Sequence, residues 1–216
     1  MGTRAEQKLR TRHALIDAAL NLSAGHGFGA LSLRQVTREA GIAPNSFYRH
    51  FRDMDELGLA LIDEVGTGLR QLMREARTRL VTERGVVQTS VDTFLDYLGE
   101  HGNHFRLLLG ERSGSCPAFR EAFYKEVNRF VEELVVFLEE GSAAANLELA
   151  YKPELAEAMV TVMFNVGAEA LDIPLHRRSI VGDRIVRQMR MLLLGSQGMA
   201  KILAANAQLD PSTDGD

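Results

Sequence analysis

The chain has 216 residues, 45% of them hydrophobic, which allows one large domain or a small one fused to a larger one and excludes disorder. It has five Pro, no Trp and one cysteine, Cys116, so an internal disulfide framework is excluded and a reducing compartment fits. The net charge of −4 hides a split: residues 1–52 hold eight Lys or Arg against three acids (+5), leaving −9 for the rest, and a basic head on an acidic body points to a polyanionic partner for the head.

The abundance of Ala, Leu, Glu and Arg predicts an all-α chain. The N-terminal stretch "MGTRAEQKLRTRHALIDAA" has no apolar signal core, and apolar runs elsewhere are only a few residues long. We expect a soluble, cytoplasmic protein with no membrane partner. A first helix starts at Thr3, where "TRAE" forms a capping box with Glu6. Its buried stripe is Leu15, Ala18, Ala19 and Leu22, and Gly25 and Gly27 end it. Ser32 and Gln35 cap a short second helix that stops at Gly41, and Pro44 suits the first turn of a third. Asp53 and Glu56 form another box and open a long fourth helix. Leu57, Leu61, Val65, Leu69, Leu72, Ala76 and Leu80 recur along it at helical spacing. It should be roughly 40 Å long, with Gly66 and Gly68 weakening its middle.

Helices over Val86–Glu100 and Asn103–Arg112 follow. A long one over Pro117–Glu140 carries Phe119, Phe123, Val127, Phe130, Leu134 and Phe137 on one face. Apolar residues beside that face predict that its C-terminal half is buried nearly all round. After "GSAAANLELAYKP", helices over Pro153–Leu171 and Ser179–Ala207 close the fold, and a polar tail, 208–216, is expected to be disordered.

The stretch "IAPNSFYRHFRDMDEL" gathers Tyr48, Arg49, His50 and Arg52 beside Phe47 and Phe51. Two short helices joined by "AGIA" are a helix-turn-helix, with Val36, Ala40, Ile42 and Phe47 as its small core. The second helix, about 44–51, would read DNA with Asn45, Ser46, Tyr48 and Arg49. Tyr48 and His50 suit phosphates, whereas Asn45 and Arg49 have the chemistry for base edges.

The segment "LSLRQVTREAGIAPNSFYRHFRDMDEL" resembles the DNA-binding segment of the TetR family of bacterial repressors. The resemblance covers residues 10–60 and adds Arg34, Thr37 and Phe47 to the expected DNA-binding set. Ala43 departs from it, since many relatives carry a capping Ser there. Together with "HFRLLLGERSGSCPAFREAF", the chain resembles the fatty-acid-biosynthesis repressors of the FabR/DesT type. That resemblance implies nine or so helices per subunit, a small N-terminal helix-turn-helix domain (1–52), and a larger effector-binding and dimerisation domain (53–207). It also implies a homodimer on palindromic operator DNA, no cofactor, and long-chain acyl-CoA as effector.

On the residues alone, Met159, Met163 and Phe164 with Met189, Met191 and Met199 could line an apolar cavity, although such stripes more often form ordinary core. We place Phe105, Leu108, Phe130, Leu134, Met159, Met163 and Phe164 around the acyl chain. For the phosphates, "HRRS" offers Arg177 and Arg178 before a helix start, with Arg112, Arg106 and Arg120 as alternatives. Gly167 allows close helix approach within one subunit or between two. No GxSxG, Walker, HExxH or CxxC pattern is present, so no catalytic residue is expected. His101 and His104 lack an evident third ligand, so no metal is expected. The alternatives are a repressor of the same fold sensing a drug-like or other apolar molecule and, in a different class, an acyl-CoA-binding enzyme.

Overall fold

The computed structural model describes residues 3–78, 85–112 and 116–209. Among them there is no strand. Eight α-helices follow in order: α1 (Arg4–His26), α2 (Leu33–Glu39), α3 (Pro44–Phe47), α4 (Met54–Thr78), α5 (Val86–Glu111), α6 (Pro117–Ala144), α7 (Lys152–Ala170) and α8 (Arg178–Leu209). The fold is all-α, with a small N-terminal helix-turn-helix and a larger C-terminal helical part. No helix among the described residues is long and apolar enough to cross a membrane.

The predicted caps form. Thr3 and Glu6 bond reciprocally at the start of α1, which passes through Gly25 and stops at Gly27, where φ is +75°. Ser32 and Gln35 do the same for α2. At α4 only half the box forms. Asp53 Oδ1 accepts the Glu56 N–H at 2.8 Å, but the Glu56 carboxylate turns to the Arg52 N–H and Nε at 2.7 and 3.0 Å. The two helices expected within 86–112 run as one element broken at His101, whose φ of −124° and ψ of 31° lie outside the helical region. Four residues beyond Glu140 remain helical, as do two beyond Ala207. The C-terminal half of α6 is not buried all round: Leu138 is covered, but Val136 is 52% exposed, because neighbours in this chain cover one side only. Leu80 and residues 210–216 of the expected tail lie outside the described residues.

Packing divides the chain into two compact units, residues 1–75 with 96–126, and residues 76–95 with 127–216. In the first unit the N-terminal helices pack on α4 and on the start of α6. In the first unit Phe28 meets Phe119 edge-on at 5.5 Å, and a Cβ on Gly58 would come within 2.6 Å of both rings. Leu57, Leu61 and Leu69 of the expected stripe are fully buried there. Gly66 brings α4 against the carboxylate of Glu126, which accepts from the buried Arg70.

In the second unit α7 and α8 pack antiparallel. Near one end of the pair Ser196 Oγ donates to the Ala150 carbonyl at 2.6 Å, and near the other Arg184 bonds Glu169. Phe130 meets Phe164 edge-on at 5.4 Å. Leu138, Leu155 and Ala156 form a further core cluster joined by Met159, Leu192 and Leu193. Gly167 lies under the Phe94 ring, so its missing side chain serves packing within the subunit.

Candidate nucleic-acid interface

The turn between α2 and α3 is built by backbone chemistry. The Gly41 N–H donates to the Arg38 carbonyl at 3.1 Å and the Ile42 N–H to the Thr37 carbonyl at 2.8 Å. This double closure needs a left-handed residue, and Gly41, at φ +66°, supplies it without a Cβ penalty. Pro44 then enters α3 at its first turn, and Ala43 gives no side-chain cap. Regular α-helix ends at Phe47 instead of continuing to residue 51. The following residues close tighter turns, with the Arg49 N–H on the Ser46 carbonyl and the His50 N–H on the Phe47 carbonyl, at 3.2 and 2.8 Å.

Burial sorts the expected DNA-binding residues. Arg34, Asn45, Tyr48 and Arg49 are exposed, Tyr48 at 63%. Ser46 and His50 are half-buried. Thr37 and Phe47 are buried and face no partner: the Thr37 hydroxyl donates to the Leu33 carbonyl at 2.9 Å, and Phe47 is the centre of the helix-turn-helix core beside Val36 and Phe51. Tyr48 packs its ring edge-on against Phe47 at 5.7 Å, which steadies a side chain whose hydroxyl remains in solvent.

Two further cations join this face from α1. The Arg12 guanidinium lies over the Phe51 ring, 4.2 Å from its centroid. Burial first, then the charges of Lys8, Arg12 and Arg49, hold His50 below the usual imidazole range, so it is neutral near pH 7. Its Nδ1 is buried with no hydrogen-bond partner among the described residues. Lys8 and Arg12 were legible as an i, i+4 basic pair, but only folding shows which turn they flank. Arg52, by contrast, is committed to Glu56 at 3.0 Å.

The exposed set can do two things to a duplex. Arg49 and Asn45 carry the donor and acceptor pairs that match base edges, and Tyr48 with the α1 cations can hold phosphates. Arg49→Ala should cost about 1–3 kcal/mol at one operator position if it reads a base, and Tyr48→Phe should weaken operator and random duplex alike if its hydroxyl meets a phosphate. Titration of both duplexes at fixed salt checks this; if neither substitution moves either curve, this face is not the one that meets DNA.

The expected effector residues fall in both units. Phe105 and Leu108 are fully buried in the first, to which exposed Arg112 also belongs. Phe130, Leu134, Met159, Met163, Phe164, Arg177 and Arg178 belong to the second, where Phe130 and Phe164 are in ring contact and Leu134 and Met159 pack on the Leu138 cluster. His101 and His104 stack at 5.1 Å in the first unit, and burial and the neighbouring ring hold His104 low. Among the described residues no group of three or more His, Cys, Asp or Glu is placed to hold a metal.

Residues 15–61 match the family model of bacterial regulatory proteins, tetR family. This span runs from the buried end of α1 through the helix-turn-helix to the first turns of α4. The whole fold is similar to that of a TetR-family transcriptional regulator from Streptomyces coelicolor, at 19% identity over 87% of this chain and 96% of that one, with a TM-score of 0.68. It is also similar to the reduced form of NemR from E. coli, at 19% identity over 85% and 97%, TM-score 0.70. A third is the fatty acid degradation regulator FadR from Bacillus halodurans, at 16% identity over 86% and 95%, TM-score 0.67. The tetR-family model thus falls on the segment that carries the exposed helix-turn-helix, and the fold as a whole is similar to that of these transcriptional regulators.

Proposed function

We propose that the protein is a repressor that binds a palindromic operator as a homodimer and releases or tightens on it in response to long-chain acyl-CoA, acting on genes of fatty-acid desaturation or synthesis. It acts by binding and not by catalysis. The observation that carries the DNA half is the exposed Asn45–Tyr48–Arg49 edge, flanked by Lys8 and Arg12. The acyl half is supported by the FabR/DesT resemblance, by the Phe- and Met-rich interior of the second unit, and by a structural relative described as a fatty acid degradation regulator.

Saturated and cis-unsaturated chains of one length bury nearly equal apolar area, so discrimination must come from shape. A tenfold change in operator affinity needs about 1.4 kcal/mol of coupling. Operator binding titrated with saturated and cis-monounsaturated acyl-CoA of equal length, beside free CoA, should show unequal effects. Equal effects would leave an acyl sensor without shape discrimination. No effect from either chain would remove the acyl reading and favour a drug-like or other apolar effector.

A palindrome read in successive major grooves needs recognition elements about 34–36 Å apart, which one small domain does not span. The partner surface we assign is on α8, where Met191, Leu194, Met199, Ile202 and Leu203 are exposed. Leu194→Arg should lower the dimer fraction in light scattering without loss of helicity, since Leu194 is 65% exposed and contributes little to this chain's own core. An unaltered dimer would place the interface elsewhere.

A further inference from the structure

We infer that the turn between α7 and α8 carries a binding site for a small aliphatic anion, a carboxylate or phosphate monoester on a short hydrocarbon chain. The inference is independent of whether acyl-CoA is the effector. A cleft of about 450 Å³ opens there, a size that suits a small molecule and not a single water. Its floor is aliphatic: Ile173, Pro174, Ile180 and Val181. Arg177, in the turn before α8, and Arg187, on α8, stand at its rim, both exposed, and Arg184 lines it from α8 as well.

The lining also holds two carboxylates, Glu169 and Asp172, beside its three arginines. Glu169 is taken by one terminal nitrogen of Arg184, while Arg184 Nε is buried and has no hydrogen-bond partner among the described residues. Arg178, next to Arg177 but outside the cleft lining, is held by its Nε, which donates to the Ile173 carbonyl at 3.4 Å. Arg177, Arg184 and Arg187 outnumber Glu169 and Asp172 in the lining by one, and the exposed guanidinium groups of Arg177 and Arg187 are open to an anion in the cleft. Bare inorganic phosphate would use the arginines and leave the aliphatic floor wet. An alkylammonium would cover the floor and be repelled by the rim. Only a molecule that is anionic at one end and apolar at the other uses both.

The test is calorimetric titration of the full-length protein with hexanoate, hexylammonium and inorganic phosphate. Hexanoate should bind at least about tenfold tighter than either of the others, and Arg177→Ala should weaken it about tenfold, the scale of one charge-assisted contact. Ile180→Glu, at a residue 67% exposed, should abolish hexanoate binding while circular dichroism remains that of the wild type. Phosphate matching hexanoate would remove the aliphatic floor from the site. Hexylammonium matching it, or hexanoate binding untouched by Ile180→Glu in the folded protein, would overturn the assignment. Because operator DNA and acyl-CoA are absent from these titrations, their outcome is separate from that of the acyl reading.

Discussion

Glu126→Ala should destabilise the protein by about 3–5 kcal/mol, with a matching fall in the midpoint of chemical denaturation. Glu126 is 3% exposed and Arg70 8%, and their side chains form an ion pair between α6 and α4. Arg70 also donates to the Thr67 hydroxyl at 3.0 Å, so the guanidinium is held on two sides. Taking two charges out of water is expensive, and mutual attraction offsets that cost only while both are present. Alanine removes the Glu126 carboxylate from beside the buried Arg70 charge and opens a void beside Gly66, which has no side chain to fill it. Glu126→Gln keeps the shape and one acceptor, so it should cost clearly less than alanine. Arg70→Met with Glu126→Leu should recover much of the loss, because a matched apolar pair carries no desolvation penalty. The comparison is made at one protein concentration, since association would shift apparent stability by mass action. A cost below about 1 kcal/mol for the alanine variant would mean that water or another carboxylate reaches Arg70, and the pair would then contribute as little as a surface bridge.

This pair shows where sequence reading stops. Arg70 and Glu126 are 56 positions apart, and each sits among charged neighbours on its own helix, so nothing local distinguishes them from solvated residues. What was legible was local. The boxes at Thr3 and Ser32 and the stop at Gly27 each depend on residues within a few positions of one another. The stripe from Leu57 to Leu69 was legible for the same reason, since periodicity reports a buried face without naming what covers it. The two expected helices on either side of His101 meet there at a kink, where φ of −124° and ψ of 31° leave the helical region. The DNA-reading edge was legible in outline, but burial had to separate Tyr48 from Phe47 and Thr37. Adjacent polar and aromatic positions point in different directions once Phe47 and Phe51 are both drawn into the core. Long-range placement also decided Gly167, where only the Phe94 ring above it shows that the missing side chain makes room inside the subunit.

Phe47→Ala should remove operator binding more completely than loss of any exposed side chain, although Phe47 has no surface of its own to offer DNA. Its ring packs against Phe51 at 5.7 Å and supports Tyr48 edge-on at the same distance. Truncating a fully buried phenylalanine costs about 3–5 kcal/mol, as transfer free energy lost and cavity left behind. The element that bears this cost is weak by itself. α3 is a single helical turn without a side-chain cap, far below the length at which an isolated helix persists in water. Its position therefore depends on the apolar contacts beneath it. Operator affinity should fall by at least about 100-fold, equivalent to about 2.7 kcal/mol, and affinity for random duplex should fall with it because the phosphate-facing side chains are displaced together. Total helicity should change little, since α4 to α8 lie outside the damaged turn. Phe47→Leu, which keeps most of the buried volume, should retain most of the binding. Gel-shift titrations of the three proteins on operator and random duplex, paired with circular dichroism, separate the outcomes. If Phe47→Ala bound operator as the wild type does at 25 °C, the turn would be held by something other than this core, and the exposed residues would not owe their position to Phe47.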